Sequence, residues 1–185
     1  DLSYKILIYM ASASNVWESP AMKAGYFISF SELLVSIIDL QDESSGNIGD
    51  ICIILNLLGK NLNEDQFIEN GNAEQFFNSV LRFSNLVFTK ADPSSLHNIF
   101  IFWSKISDWS LNKEEFINIM FQLIADFINS TLNSIAENGE EWATNFRTEY
   151  INSGFEPIWK IAHSCYIQVC DLIIERISAV IESQT

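Results

Sequence analysis

Apolar residues step by three and four along almost the whole chain, the spacing that lines one face of an α-helix, and no stretch alternates convincingly as a strand would. Glycine and proline punctuate that pattern more than they interrupt it. After an N-terminal segment from about Tyr4 to Ala13, the spacing predicts a long helix from Pro20 to about Leu40. Ser19 is placed to accept a hydrogen bond from a first-turn amide, and Pro20 stands where a missing N–H costs nothing. Met22, Tyr26, Phe30, Leu33, Leu34, Ile37 and Ile38 make its expected buried face, with Trp17 ahead of the cap to fold back onto it. Asp42 to Asn47 reads as a turn, Ile48 to Leu58 as a second helix stopped at Gly59, and Glu64 to Ile68 as a short one. A third long helix, Ala73 to Lys90, ends ahead of Asp92-Pro93, because the residue before a proline is pushed out of the helical region. Ser94 or Ser95 is expected to cap a fourth, to about Asp108, and Asn112 a fifth, Lys113 to about Ala136, closed by Asn138-Gly139. A helix from Glu140 to Ile151, a break at Ser153-Gly154 and a last helix from Pro157 to about Glu182 complete the chain.

The fold class read from this pattern is all-α: a bundle of five core helices over residues 15–137, an N-terminal segment (1–14) and a C-terminal helical extension (138–185). Phe116 to Ile128 is nearly apolar all round, so it is expected in the middle of the bundle. Phe30-Ser-Glu-Leu-Leu-Val35 is echoed by Phe83-Ser-Asn-Leu-Val-Phe88, as helical-hairpin repeats such as HEAT units would be, and Phe100-Ile-Phe-Trp103 is faintly similar to nuclear-transport receptors of that class. Two copies at irregular spacing do not by themselves establish a solenoid.

Three blocks carry a resemblance to a known family. Trp17, Ser19, Pro20, Ala21, Met22, Tyr26, Ile28 and Phe30 are similar to the opening of the spidroin (spider-silk protein) N-terminal domain. Asp42-Glu-Ser-Ser-Gly-Asn-Ile-Gly-Asp50 resembles that family's acidic turn into its second helix, and Phe116 to Phe127 its last helix. The resemblance implies a five-helix bundle that dimerises in acid, with Asp42 and Glu43 near the acidic pair and Trp17, Phe116 and Phe127 on the self-associating bundle. The family's other charges are poorly kept: Glu74 and Gln75 stand where a lysine is expected, and Thr89, Ser94 and Ile119 where glutamates are. Cys170-Asp-Leu-Ile-Ile-Glu resembles the spidroin C-terminal domain, which implies an interchain disulfide at Cys170.

Charge narrows the partners. Ten basic residues against 24 acidic ones give a net charge of −14, and the basic ones are scattered. Nucleic acid and anionic membrane surfaces are therefore disfavoured. No run approaches the roughly 18 uninterrupted apolar residues of a spanning helix. Protonating the carboxylates weakens self-repulsion, so acid should favour association.

Chemistry is sparse. His163, Cys165 and Cys170 suggest a metal, but residues two and five apart do not face one way on a helix and no fourth ligand is evident. Glu114-Glu115 and Glu140-Glu141 suit helix N-termini, where the dipole favours negative charge. No phosphate loop, nucleophile elbow or zinc-protease signature occurs. Three cysteines leave at least one thiol free or paired between chains, and Asn129-Ser-Thr131 is a glycosylation sequon. No catalytic residue, metal or cofactor is assigned. The expectation is a secreted, non-enzymatic, silk-type protein acting as a homo-oligomer. The alternatives are an intracellular HEAT-like module whose acidic surface receives basic partners, or a carrier of an apolar ligand lined by some of the fourteen phenylalanines.

Overall fold

Ser19 accepts from the Met22 amide at 3.2 Å with Pro20 in the first turn, and α2 (Pro20–Ile38) starts there. Asp92, not Ser94 or Ser95, does the same for α6 (Pro93–Ile106), accepting from the Ser95 amide at 2.8 Å. A carboxylate two residues earlier is simply the better-placed cap once Pro93 takes the first helical position. The computed structural model describes residues 2–13, 19–42, 45–62, 64–70, 73–90, 92–107, 109, 114–154 and 156–182. The remaining helices are α1 (Leu2–Ala11), α3 (Ile48–Gly59), α4 (Glu64–Asn70), α5 (Ala73–Lys90), α7 (Glu114–Gly154), α8 (Glu156–Ser164) and α9 (Tyr166–Glu182). The fold is all-α. Gly139 breaks α7 with φ 79°, a left-handed conformation that glycine adopts without strain. The expected last helix is two, with Cys165 in the turn between α8 and α9.

The helices form two layers. In one, α1 packs on α3, α3 on α6 and α6 on α8; in the other, α2 packs on α5, α5 on α7 and α7 on α9. Within the layers α3 runs parallel to α6, and α2 to α5, where Ser31 and Glu32 lie beside Gln75 and Asp39 pairs with Arg82. Gly49 faces Ser95, Asn56 donates to Asn98 Oδ1 at 2.7 Å and Gly59 abuts Phe102, so α3 and α6 climb together. Across layers the direction reverses: Phe76 meets Phe102 while Phe88 stacks on Phe100, which sets α5 against α6. Tyr26 donating to the Met10 carbonyl at 3.2 Å joins α1 to α2.

The contacts follow a stack of helical hairpins in chain order, and the bundle of five core helices expected over 15–137 is not confirmed. Each helix is satisfied by neighbours near it in sequence, and among the described residues no substantial packing joins α1 or α2 to α7, α8 or α9. The two echoed motifs take equivalent places, one on α2 and one on α5, side by side in the second layer. Their burial agrees position by position: Phe30, Ser31, Leu34 and Val35 are buried, as are Phe83, Ser84, Val87 and Phe88. Ser31 and Ser84 remain buried by donating to the Ile28 and Val80 carbonyls, each at 2.7 Å.

Two further expectations change. Met22 and Leu33 are exposed, because the buried face of α2 is centred on Phe27, Phe30, Ser31, Leu34 and Ile38. The most enclosed helix is α3, flanked by α1 and α6, whereas Asn118 and Gln122 of the Phe116–Ile128 stretch face solvent. Ala11 on α1, and Ile158, Ile161 and Cys165 around α8, belong to the same apolar cluster as α3, α5 and α6. By length and composition α2 could cross a bilayer, but Phe27, Phe30, Leu34, Val35 and Ile38 are committed to this core.

Candidate interaction surfaces

The aromatic side chains that suggested a ligand cavity pack largely against one another. Phe67, Phe76, Phe77 and Trp109 meet edge to face at 5.3 to 6.0 Å, and Phe102 and Trp103 extend the cluster into α6. Offset and edge-on contacts of this kind fill space with rings. Cys52 is buried between α3 and α6, and burial pushes its thiol far above the usual range, with Asp92 adding to the rise and a hydrogen bond with Ser95 opposing it. Burial likewise pushes Cys165 up to about 11, opposed by Ser164. Thiols held protonated in this way are poor nucleophiles and poor metal ligands. Cys165 donates to the Ile161 carbonyl at 3.5 Å, while His163 is exposed with its ring beside Tyr166. Among the described residues no three His, Cys, Asp or Glu side chains converge on a common point.

The expected self-association residues do not form one surface. Trp17 and Glu43 lie outside the described residues, and so does the side chain of Phe116 on α7. Asp42 is exposed, and its carboxylate accepts from Ser45 Oγ at 3.1 Å within the turn that leads to α3. Phe127 is half-buried, its ring 4.9 Å from that of Phe100 and 5.4 Å from that of Phe88, where it joins α7 to both α5 and α6. Cys170 is exposed on α9.

Around Cys170 the structure assembles a surface that the sequence did not single out. Tyr166, Ile167, Ile173 and Ile174 are 58, 56, 45 and 62% exposed. They stand four and three residues before Cys170 and three and four after it, so all five share one face of α9. Val169, on another face, packs on the core. Trp159 on α8 is also exposed. The end of the stack therefore carries contiguous apolar side chains where the outermost unit of a hairpin array usually presents a polar face.

A second surface is polar. Asn85, Phe88 and Thr89 of α5 and Asp126, Asn129, Ser130, Asn133, Ser134 and Glu137 of α7 line a cleft of about 350 Å³. The α7 residues recur at three- and four-residue steps and make a polar face beside α5, half-buried at Asp126, Asn129, Ser130 and Ser134 and exposed at Asn133 and Glu137, while Leu132 and Ile135 are also exposed. Asn85 Nδ2 donates to Asp126 Oδ2 at 2.9 Å and Gln122 Nε2 to Asp126 Oδ1 at 2.7 Å. The sequon residue Asn129 lies in this cleft and is half-buried. Comparisons with family models, curated proteins and solved structures find no match, so function is argued from these surfaces and from the layered fold.

Proposed function

We propose that the chain is a non-enzymatic, helical-repeat interaction module of HEAT-like construction whose acidic surface receives basic partners. The observation that supports this reading is the two-layer stacking of helices in chain order, in which the echoed Phe-Ser motifs occupy equivalent positions. Stacked hairpins offer long surfaces without a closed active-site pocket, and a net charge of −14 steers cationic partners toward them. Fluorescence anisotropy with a library of lysine- and arginine-rich peptides at physiological salt tests it. Saturable binding that depends on peptide sequence is expected. Binding that tracks peptide charge alone and disappears at that salt would count against the module.

A second reading, silk-type self-association, is favoured by one specific observation, the exposed apolar face of α9. Its side chains are disposed symmetrically about Cys170, and a two-fold pair requires a patch that is complementary to itself. Two copies of α9 crossing antiparallel at that cysteine would set apolar against apolar. In an oxidising compartment an added disulfide such as oxidised glutathione would take up the two thiols' electrons as the Cys170 sulfurs join. Secretion belongs with this reading and an intracellular site with the first. Light scattering at pH 7 and pH 5, with and without reductant, decides it: a monomer in all four conditions sinks self-association and leaves the module reading intact.

A further inference from the structure

We propose that copies of the chain join head to tail, the α1 and α2 end of one seating on the α8 and α9 end of the next. The contact goes beyond the module reading and does not depend on it, and it is an alternative to the two-fold pair through α9.

Exposed apolar side chains are concentrated at the two ends of the stack. Of the thirteen large ones among the described residues, five lie on α1 and α2 and five on α8 and α9. Leu2, Ile6 and Tyr9 follow one another at four- and three-residue steps on α1, opposite the side on which Tyr4, Leu7 and Ala11 pack on the core. Met22, Gly25, Ser29 and Leu33 lie along the side of α2 turned away from Phe27, Phe30 and Leu34. A Cβ at Gly25 would meet nothing within 4 Å, so that strip is low and open. The other end carries Trp159 and the apolar face around Cys170. Each of these helices already buries its opposite side, so what its outer face lacks is a neighbour of the kind that the interior helices have.

Area alone allows any two ends to meet. The ten side chains are roughly three-fifths exposed on average, and at about 200 Å² apiece a pair of ends withdraws on the order of 1,200 Å² from water, the lower limit of a stable interface. Charge decides which ends they are. In a chain of net charge −14, α1 carries an exposed Lys5 and no carboxylate, and the sole carboxylate within α2, Glu32, lies on its α5 side with Gln75. Glu156 is exposed on α8, and Asp171 and Glu175 are exposed on α9. Joining two α9 ends sets these carboxylates against their own copies, whereas joining unlike ends brings a lysine to them. Unlike ends also cover both apolar surfaces, where a two-fold pair leaves Leu2, Ile6 and Tyr9 in water. A contact between unlike patches does not close on itself in a pair, so association proceeds past the dimer, opposed by repulsion between acidic copies.

Sedimentation velocity of the full chain from micromolar to millimolar concentration tests the proposal, in reductant so that Cys170 forms no disulfide. Tyr9→Glu blocks one end and Ile174→Glu the other, each at a well-exposed side chain. The unaltered chain is expected to grow past the dimer with concentration, each variant alone to stay monomeric, and an equal mixture of the two to form a one-to-one heterodimer that grows no further. Lys5→Glu should weaken growth of the otherwise unaltered chain by about threefold to tenfold. A dimer of either variant alone overturns the proposal, the Tyr9→Glu dimer marking a two-fold pair through α9. So does a mixture without heterodimer, a Lys5→Glu variant that grows as before, or an unaltered chain that stays monomeric throughout, which leaves the basic-peptide reading untouched. If Ile174→Glu fails to fold by circular dichroism, Tyr166→Glu takes its place in the same mixture with the same outcomes.

Discussion

Trp103 Nε1 donates to Ser84 Oγ at 2.9 Å, and the Ser84 O–H donates in turn to the Val80 carbonyl, so one buried hydroxyl ties α6 of the first layer to α5 of the second. Both residues are fully buried and no solvent stands ready to replace either bond. Ser84→Ala leaves the indole N–H without an acceptor and should cost about 1–3 kcal/mol in urea unfolding. Trp103→Phe loses ring volume as well as the donor, but in the double variant the orphaned group is gone. The two losses should therefore add to less than their sum, by about 1 kcal/mol in a double-mutant cycle.

Two glycines separate backbone propensity from packing. A Cβ on Gly59 would lie 2.9 Å from Phe102 Cδ2, where α3 meets the buried ring of α6, so Gly59→Ala should destabilise by about 1–3 kcal/mol. Gly25, in the interior of α2, has nothing within 4 Å of its added Cβ, and Gly25→Ala should stabilise by about 0.5–1 kcal/mol. Thermal unfolding of the two variants should show shifts of opposite sign.

The thiols should differ in reactivity. Cys170 is exposed, whereas Cys52 and Cys165 are buried with raised pKa, so a disulfide reagent near neutral pH should titrate one thiol per chain quickly and the other two only after unfolding. Rapid titration of all three would show that α8 or the α3 and α6 contact opens readily.

The same burial sets an alkaline dependence. A thiol whose folded pKa is raised keeps its proton after the unfolded chain has lost it, so the unfolded state binds fewer protons and stability falls as pH climbs. For Cys165 that window opens at the ordinary thiol range, near about 8.5, and closes at about 11. Urea midpoints measured from pH 7 to pH 11 should be flat at first and then decline, and Cys165→Ala should flatten the decline whatever it does to the midpoint at pH 7.

Some of this was legible from residue spacing and some was not. Ser19 and Pro20 announce the start of α2, and Ala73 to Lys90 is α5 to the residue, because caps, prolines and helical steps act locally. The buried face of α2 was misjudged by a rotation that brings Phe27 and Ser31 inward and leaves Met22 and Leu33 exposed, the Ser31 hydroxyl being satisfied by the Ile28 carbonyl. The polar row of α7 could be found by counting, but counting cannot say that it lies beside α5. The pairing of Asn85 with Asp126 spans two separate helices and has no local signature.

By itself the sequence determined that the chain is helical, where most helices begin and end, that it is strongly acidic, and that a Phe-Ser motif occurs twice. These follow from local propensity and composition, which need no partner. Tertiary packing alone decided which helices pair, that Ile158 and Ile161 of α8 share the common core, and that the face around Cys170 is uncovered. The physical reason is that an apolar stripe states only that it must be buried, whereas which helix buries it depends on shape, as at Gly59 and Phe102, where the missing side chain lets two helices of one layer come together.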